Sequence, residues 1–246
     1  MAILVAIETS TTVCSVALAV DGKVVWTRED LTGVSHAAQL GVFVAEAVNY
    51  ARANNLKINA VAVSSGPGSY TGLRIGMSEA KGLCYGLDIP LIAIPTLKIL
   101  ATQILPLSPF AFQPLNFEPY LVSEPVPCPA PLLCPMIDAR RMEVYAAIYD
   151  ENLDEIRSVQ ADIINENSYR EYLDTNPVLF LGNGSDKCKD VLTSPNAIFI
   201  PDQYPSAAGM ISSAEQAFAN KNFVDTAYFE PFYLKEFQTT TPKNNV

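Results

Sequence analysis

Residues 2–29 of the chain are AILVAIETSTTVCSVALAVDGKVVWTRE. The stretch begins with a nearly continuous apolar run, Ala2–Ile7, of the kind that forms a strand buried on both faces. Five polar residues interrupt the run, and strand character resumes over Val13–Val20. Asp21-Gly22 is a strong signal for a tight turn into a third strand, Lys23–Glu29. The sequence therefore opens with a predicted three-stranded antiparallel meander.

Helices and strands alternate after the meander. A helix is expected over His36–Ala53 with Ser35 as its N-cap. Its apolar residues lie on several sides, which is typical of a helix that is covered on more than one side. Further helices are expected over Leu73–Tyr85 and Thr96–Leu105. The strands expected between these helices are Val61–Ser65 and Ile89–Ile94. This α/β pattern makes residues 1–105 the predicted N-terminal lobe.

Proline dominates residues 106–131, which contain eight prolines. Each proline removes a backbone donor and disfavours helices and central strands. We therefore expect an extended insertion or linker here, and with it the domain boundary.

A second unit of the same kind is predicted over residues 132–246. It begins with another meander and continues into alternating helices and strands. The elements expected are strands Leu132–Ile137, Val144–Tyr149, Glu155–Ala161, Val178–Leu181 and Ala197–Ile200, with short helices near Ser168–Leu173 and Asp186–Leu192. A last helix, residues 207–220, is expected to pack back on the first lobe. The aromatic segment Tyr228–Phe237 should lie against the protein, and Thr239–Val246 should be disordered.

The charge of the chain is unevenly distributed. Its 246 residues carry a formal net charge of −10. Residues 1–105 hold seven basic and seven acidic residues, whereas residues 106–246 hold nine basic and nineteen acidic ones. Because such a surface repels a phosphate backbone, we expect no direct nucleic-acid binding. The neutral first lobe is the better candidate for contact with another protein.

The numbers of cysteines and histidines and the lengths of the apolar runs exclude several classes of protein. The five cysteines are an odd number without a secretory signal, which indicates reduced thiols. A single histidine, His36, excludes a metal site built from two imidazoles. No apolar run approaches the ~20 residues that a membrane helix needs. We expect a cytoplasmic protein without a membrane segment.

A glycine-rich segment, Gly66–Gly72, lies between a predicted strand and a predicted helix. Its glycines permit positive φ angles and close backbone approach, and amides at a helix start can hold an anion. The Gly-Lys-Ser/Thr ending of a phosphate-binding loop is absent, and the glycine spacing differs from the dinucleotide fingerprint. Two interpretations stay open at this point, a tight structural turn and an anion or nucleotide site.

The helix that follows carries a stripe of small residues at every fourth position. These residues share one face of the helix and are Gly72, Gly76, Ala80 and Cys84. A small-residue face lets another element approach closely. The stripe is explained either by packing inside the lobe or by a partner helix.

Several motifs, in order along the chain, resemble the TsaB family. The most specific is the segment from Ser64 to Gly76. The others are Ala6–Thr11, Ser15–Leu18, Ser35-His36, Asp138–Tyr145 and Pro231–Lys235. The resemblance implies an α/β chain with the two-lobed actin/Hsp70/sugar-kinase (ASKHA) fold, in which each lobe is a mixed sheet that starts with an antiparallel meander and is flanked by helices. It also implies a role in making threonylcarbamoyladenosine in tRNA, next to the anticodon. Its expected partners are the catalytic paralogue TsaD and the ATPase TsaE, and TsaB itself is the non-catalytic member.

The residues of the first turn also indicate a non-catalytic chain. Active members of the superfamily carry an Asp and a Gly there, and this chain has Glu8-Thr9-Ser10-Thr11. A longer carboxylate need not satisfy the strict geometry of Mg²⁺. TsaD-like proteins hold their metal through paired histidines, so the lone His36 is expected to be a capping or contact residue. We expect no catalytic residue, metal or cofactor.

We predict two sets of site residues. The first lies on helices 36–53 and 73–85 and is the expected contact with TsaD and with a second copy of this chain. Its members are His36, Leu40, Phe43, Leu73, Gly76, Met77, Ala80 and Cys84. The second set contains candidate nucleotide or cleft contacts, Thr9, Ser10, Gly66, Gly68, Asp138 and Arg140. The segment Asp138–Arg141 is either an exposed charged turn or a cleft contact. The competing functions are an ATP-dependent small-molecule kinase of the same superfamily and a metal-dependent glycoprotease-type peptidase.

Overall fold

The opening meander forms as the sequence predicts. A computed structural model describes residues 1–33, 36–104 and 130–235 of the chain. The first five-stranded sheet has the order β3-β2-β1-β4-β5. Its strands are β1 (Ile3–Glu8), β2 (Cys14–Val20), β3 (Lys23–Asp30), β4 (Ala60–Ser64) and β5 (Leu91–Ile94). The β1–β2 and β2–β3 pairs are antiparallel, and β4 and β5 add in parallel. Parallel addition places the carboxyl ends of β1, β4 and β5 at one edge of the sheet.

The second sheet repeats the arrangement of the first. Its order is β8-β7-β6-β9-β10, again three antiparallel strands followed by two parallel ones. Its strands are β6 (Leu132–Asp138), β7 (Glu143–Tyr149), β8 (Glu155–Ile163), β9 (Val178–Leu181) and β10 (Ala197–Ile200). The predicted two-lobed α/β fold, in which each lobe is a mixed sheet that starts with an antiparallel meander, is therefore confirmed.

Two helices cover one face of the first sheet. Of the five helices in the described residues, α1 is His36–Ala53, α2 is Tyr70–Leu87, α3 is Thr96–Ile104, α4 is Arg170–Leu173 and α5 is Ile211–Ala219. Helices α1 and α2 bury apolar side chains such as Val44 and Met77 against Val61 and Val63. Helix α2 begins one turn earlier than predicted because Ser69 caps it, its Oγ accepting from Gly72 N at 3.2 Å.

Helices α5 and α3 each pack on the sheet of the other half of the chain. Helix α5, preceded by a short 3₁₀ helix at Ala208–Met210, packs on the other face of the first sheet. Helix α3 belongs to the N-terminal half but buries Leu97, Leu100 and Ile104 against the second sheet. Each half therefore contributes a helix to the other half, and the two lobes share apolar contacts.

Some predictions fall on residues outside the described ranges. These are the Ser35 N-cap, nearly all of the proline-rich segment 106–131 with its domain boundary, and the disorder of residues 239–246. In the described part of the chain, no helix is long and apolar enough to cross a membrane.

Candidate functional site

The turn between β1 and β2 lies at the carboxyl edge of the first sheet, where the residues of a nucleotide site were predicted. Glu8, Thr9 and Ser10 are fully buried, and Thr11 is almost so. Because these side chains are inaccessible, a nucleotide cannot contact Thr9 or Ser10 while the turn keeps this arrangement.

The glycine-rich segment covers this turn. Ser69 N donates to the Ser10 carbonyl oxygen at 2.6 Å, and Leu73 N donates to the Ser69 carbonyl oxygen at 2.8 Å. A Cβ atom at Gly68 would lie under 3.0 Å from the Ser10 carbonyl oxygen, and one at Gly72 under 3.0 Å from the Thr9 carbonyl oxygen. The Ser69 amide therefore has its acceptor within the chain, and the two glycines let the segment lie directly on the β1–β2 turn, which favours the interpretation as a tight structural turn.

Helix α2 approaches the same turn through its small residues. A Cβ at Gly76 would lie under 3.0 Å from Thr9 Oγ1. In turn, Thr9 Oγ1 donates to the Gly72 carbonyl oxygen at 2.8 Å. The stripe of small residues therefore lets the helix backbone pack directly on the β1–β2 turn, which is the first of the two explanations left open by the sequence.

Four buried side-chain oxygens near this edge of the sheet have no hydrogen-bond partner among the residues that the structure describes. They are Glu8 Oε2, Ser10 Oγ, Ser64 Oγ and Thr96 Oγ1. The other oxygen of the carboxyl group, Glu8 Oε1, accepts from Ser10 N at 2.6 Å. Burial raises the pKa of Glu8, and the adjacent Ser10 and Ser64 oppose this only in part, since neither hydroxyl makes a hydrogen bond of ordinary geometry.

The raised pKa of Glu8 predicts a pH-dependent stability. The folded chain holds the Glu8 proton at pH values where the unfolded chain has released it, so the free energy of unfolding should fall as the pH rises above the ordinary Glu pKa of about 4.3. Glu8→Gln cannot titrate and keeps an acceptor for Ser10 N. The variant should be more stable than the parent chain at pH 8, and this difference should vanish near pH 4. Urea unfolding across this pH range measures the difference, and a value independent of pH would contradict the prediction.

Six of the eight predicted contact residues for a partner face the interior of the lobe. They are Leu40, Leu73, Gly76, Met77, Ala80 and Cys84. The other two are half-buried, and the His36 ring nitrogen Nε2 lies 3.2 Å from the Val13 carbonyl oxygen. Burial also raises the pKa of Cys84 to about 11, and its Sγ donates to the Pro90 carbonyl oxygen at 3.5 Å. The predicted contact residues are thus corrected: these six hold α1 and α2 on the sheet and are not on the surface.

The outer faces of the same two helices carry small and apolar residues that the prediction did not name. On α1 these are Ala38, Gly41, Val42 and Ala45, and on α2 they include Ser78, Gly82 and Tyr85. Val42 is 51% exposed and Tyr85 is 89% exposed. Within the described chain, and apart from the backbone of the helix itself and the flanking residues, no heavy atom lies within 4 Å of a Cβ placed on Gly41 or Gly82. The apolar character of α1 on several sides was the sequence signal for this face.

The Asp138–Arg141 segment is the turn between β6 and β7, in the other lobe. Arg140 N donates to Asp138 Oδ1 at 3.0 Å, and Lys187 pairs with the same carboxylate. Arg140 and Arg141 both have positive φ angles, 72° and 50°, and both are exposed. Asp138 therefore supports its own turn. It and Arg140 contact none of the other candidate residues directly, in the hydrogen bonds and ion pairs of the described chain.

The remaining cleft candidate, Gly66, is covered by the C-terminal segment. Its φ is +102°, and a Cβ there would lie 2.5 Å from the Phe232 carbonyl oxygen. Within residues 1–33, 36–104 and 130–235, no group of three or more His, Cys, Asp or Glu side chains is placed to hold a metal ion.

Comparison with known proteins finds similarity to proteins named for the threonylcarbamoyl modification of adenosine in tRNA. Residues 30–115 match the family model of TsaD, tRNA N6-adenosine threonylcarbamoyltransferase. Over 241 residues the chain is 29% identical to the tRNA threonylcarbamoyladenosine biosynthesis protein TsaB of Escherichia coli K12, with 94% of each chain covered. The protein of the same name from Haemophilus influenzae is 36% identical over 98 residues, 40% of this chain and 41% of that one.

Two solved structures share the fold. A Pseudomonas aeruginosa protein with similarity to peptidase YeaZ aligns with a TM-score of 0.75 at 24% identity, over 96% of this chain and all of that one. YeaZ from the same organism aligns with a TM-score of 0.71 at 24% identity, over 95% of this chain and all of that one.

Proposed function

Because the chain belongs to the TsaB family, we propose that it acts in the cytoplasm as a non-catalytic subunit in the synthesis of threonylcarbamoyladenosine in tRNA, binding TsaD together with TsaE. The observation that carries this proposal is the closed β1–β2 turn. Its residues Glu8–Thr11 are buried under the glycine-rich segment. Because its own backbone covers the first turn, the chain contributes a binding surface to the complex, and the catalytic groups come from its paralogue TsaD.

The outer face of α1 and α2 is the proposed contact for TsaD and for a second copy of this chain. Glycine within a helix costs about 1 kcal/mol relative to alanine. Gly41 and Gly82 carry that cost, and no side chain or other segment of the described residues packs closely on either of them. A helix that packs on them from outside would make use of the missing side chains, since small residues allow short distances between helix axes. Two such helix pairs would form a four-helix contact.

Reconstitution tests the proposal with variants of that outer face. TsaD and TsaE should modify tRNA in the presence of this chain and should lose most of that activity in its absence. Gly41→Arg and Gly82→Arg should fold normally, because their side chains point to open space. Both should lower capture of TsaD, and the rate of modification, by about 100-fold or more, since a charge in the core of an interface costs several kcal/mol.

Ile163→Arg is the matched control. Ile163 is 73% exposed on β8 in the other lobe, so the variant adds the same charge far from α1 and α2. It should bind TsaD and support modification as the parent chain does. Full binding by both glycine variants would contradict the contact surface, and modification by TsaD and TsaE without this chain would contradict the function. Threonylcarbamoyl transfer by this chain alone would contradict the non-catalytic role.

A further inference from the structure

The segment that follows α5 runs along the first lobe. Val224 N donates to the Leu91 carbonyl oxygen at 2.9 Å, which makes an isolated antiparallel bridge on the edge strand β5. Asp225 Oδ1 accepts from the Ala227 and Tyr228 amides, and Lys81 Nζ donates to the Ala227 carbonyl oxygen at 3.1 Å. The segment is therefore fastened both to the sheet edge and to α2.

The segment then crosses the loop that follows β4. Phe232 N donates to the Ser65 carbonyl oxygen at 2.7 Å. Tyr233 lies against Tyr70 with ring centroids 4.9 Å apart, and the Arg74 guanidinium carbon lies 5.3 Å from the Tyr70 ring centroid. The close approach of the Phe232 backbone fits a glycine at position 66 and excludes a side chain there.

The last described residue of the segment reaches the other lobe. Lys235 Nζ pairs with Glu143 Oε2 at the start of β7. Three residue steps separate Phe232 from Lys235, so their Cα atoms are at most about 10 Å apart. The segment thus holds the β6–β7 turn of the second lobe close to Ser65 of the first lobe.

We infer that residues 224–235 form a strap that ties the two lobes together across the carboxyl edges of their sheets. Its anchors on the first lobe are backbone hydrogen bonds and a ring contact, and among the described residues its anchor on the second lobe is the partly exposed Lys235–Glu143 ion pair. A partly exposed ion pair contributes little stability and weakens with salt. The strap therefore opens from its Lys235 end, while the rest of the segment stays on the first lobe.

Charge reversal tests the strap in the full-length chain. Lys235→Glu should speed amide hydrogen exchange in residues 138–145 and 228–235 by roughly fivefold or more, because it replaces the attraction by repulsion and promotes local opening. Glu143→Lys should have the same effect. The double variant Lys235→Glu/Glu143→Lys restores opposite charges and should return both segments to within about twofold of the parent rates.

Lys221→Glu is the control for the charge change, because Lys221 is exposed just before the strap and has no ion pair in the described chain. It should leave exchange in both segments unchanged. Exchange in the buried strand β1 reports on global unfolding. The proposed strap is contradicted if Lys235→Glu leaves amide exchange in residues 138–145 unchanged, or if it speeds exchange in β1 as much as in the strap. It is also contradicted if amide exchange in the double variant is no slower than in the single variants.

Discussion

Replacing Gly72 with alanine is expected to lower the free energy of unfolding by about 3 kcal/mol or more, the upper part of the range for overpacking a buried site. The new Cβ would lie under 3.0 Å from the Thr9 carbonyl oxygen, a backbone atom in the buried β1–β2 turn. The turn has little freedom to move there, because Thr9 is fully buried and the adjacent Ser10 is packed against Gly68 and hydrogen-bonded to Ser69 N. Chemical denaturation of the purified variant measures the loss.

Two comparisons separate this clash from a general effect of glycine replacement. Gly82→Ala lies on the same helix with open space around its Cβ, so it should raise the free energy of unfolding by about 0.5–1 kcal/mol. The Cβ added by Gly76→Ala would clash with the side-chain atom Thr9 Oγ1. Adding Thr9→Ala to Gly76→Ala should therefore restore part of the lost free energy of unfolding. Thr9→Ala should recover none of the loss caused by Gly72→Ala, where the clash is with the backbone. Equal behaviour of the Gly72 and Gly82 variants would contradict the closed turn.

Local sequence patterns predicted most elements of the fold. His36–Ala53, Val178–Leu181 and Ala197–Ile200 have the predicted bounds. Strands buried on both faces leave long apolar runs, and turn residues such as Asp21-Gly22 separate them. The two meanders therefore revealed the duplication without any repeated residues.

The direction in which the small-residue stripe of α2 faces could not be predicted from the sequence. Periodicity places Gly76 and Ala80 on one face of α2, but it does not state whether that face meets the sheet or a partner. The structure turns them inward and leaves Gly82 outside. The same limit applies to Gly66–Gly72, because a glycine loop donates its amides either to a ligand or to its own chain. Here the acceptor is Ser10, more than fifty positions away in the sequence.

Contacts between segments that are far apart in the sequence could not be predicted from local sequence patterns. The strap residue Phe232 meets Ser65, and α3 packs on the second sheet, through pairings that no sequence window contains. A resemblance marked Pro231–Lys235 as a motif without indicating what it contacts. Structure was therefore required to assign the motif to the junction between the lobes.

A partly buried polar network in the second lobe carries the other large effect on stability. The Asp162 carboxylate accepts from both terminal nitrogens of Arg157, at 2.6 and 2.9 Å, and from the Tyr169 hydroxyl at 2.7 Å. The Arg157 and Asp162 side chains are only 17% and 16% exposed. Burial and the Asp162 carboxylate both raise the pKa of Tyr169, so its hydroxyl stays a donor.

Asp162→Ala should lower the free energy of unfolding by about 3–5 kcal/mol, because it leaves a desolvated guanidinium without a counter-charge. Asp174→Ala removes the partner of Arg170 in a fully exposed pair and should change stability by less than about 0.5 kcal/mol. The triple variant Arg157→Met/Asp162→Leu/Tyr169→Phe removes the whole network and should be more stable than Asp162→Ala alone, since no charge is then left unpaired. Urea unfolding of the four chains tests this ordering. If Asp162→Ala and Asp174→Ala cost the same, the network is no more than a surface ion pair, and the second lobe is held by its apolar core alone.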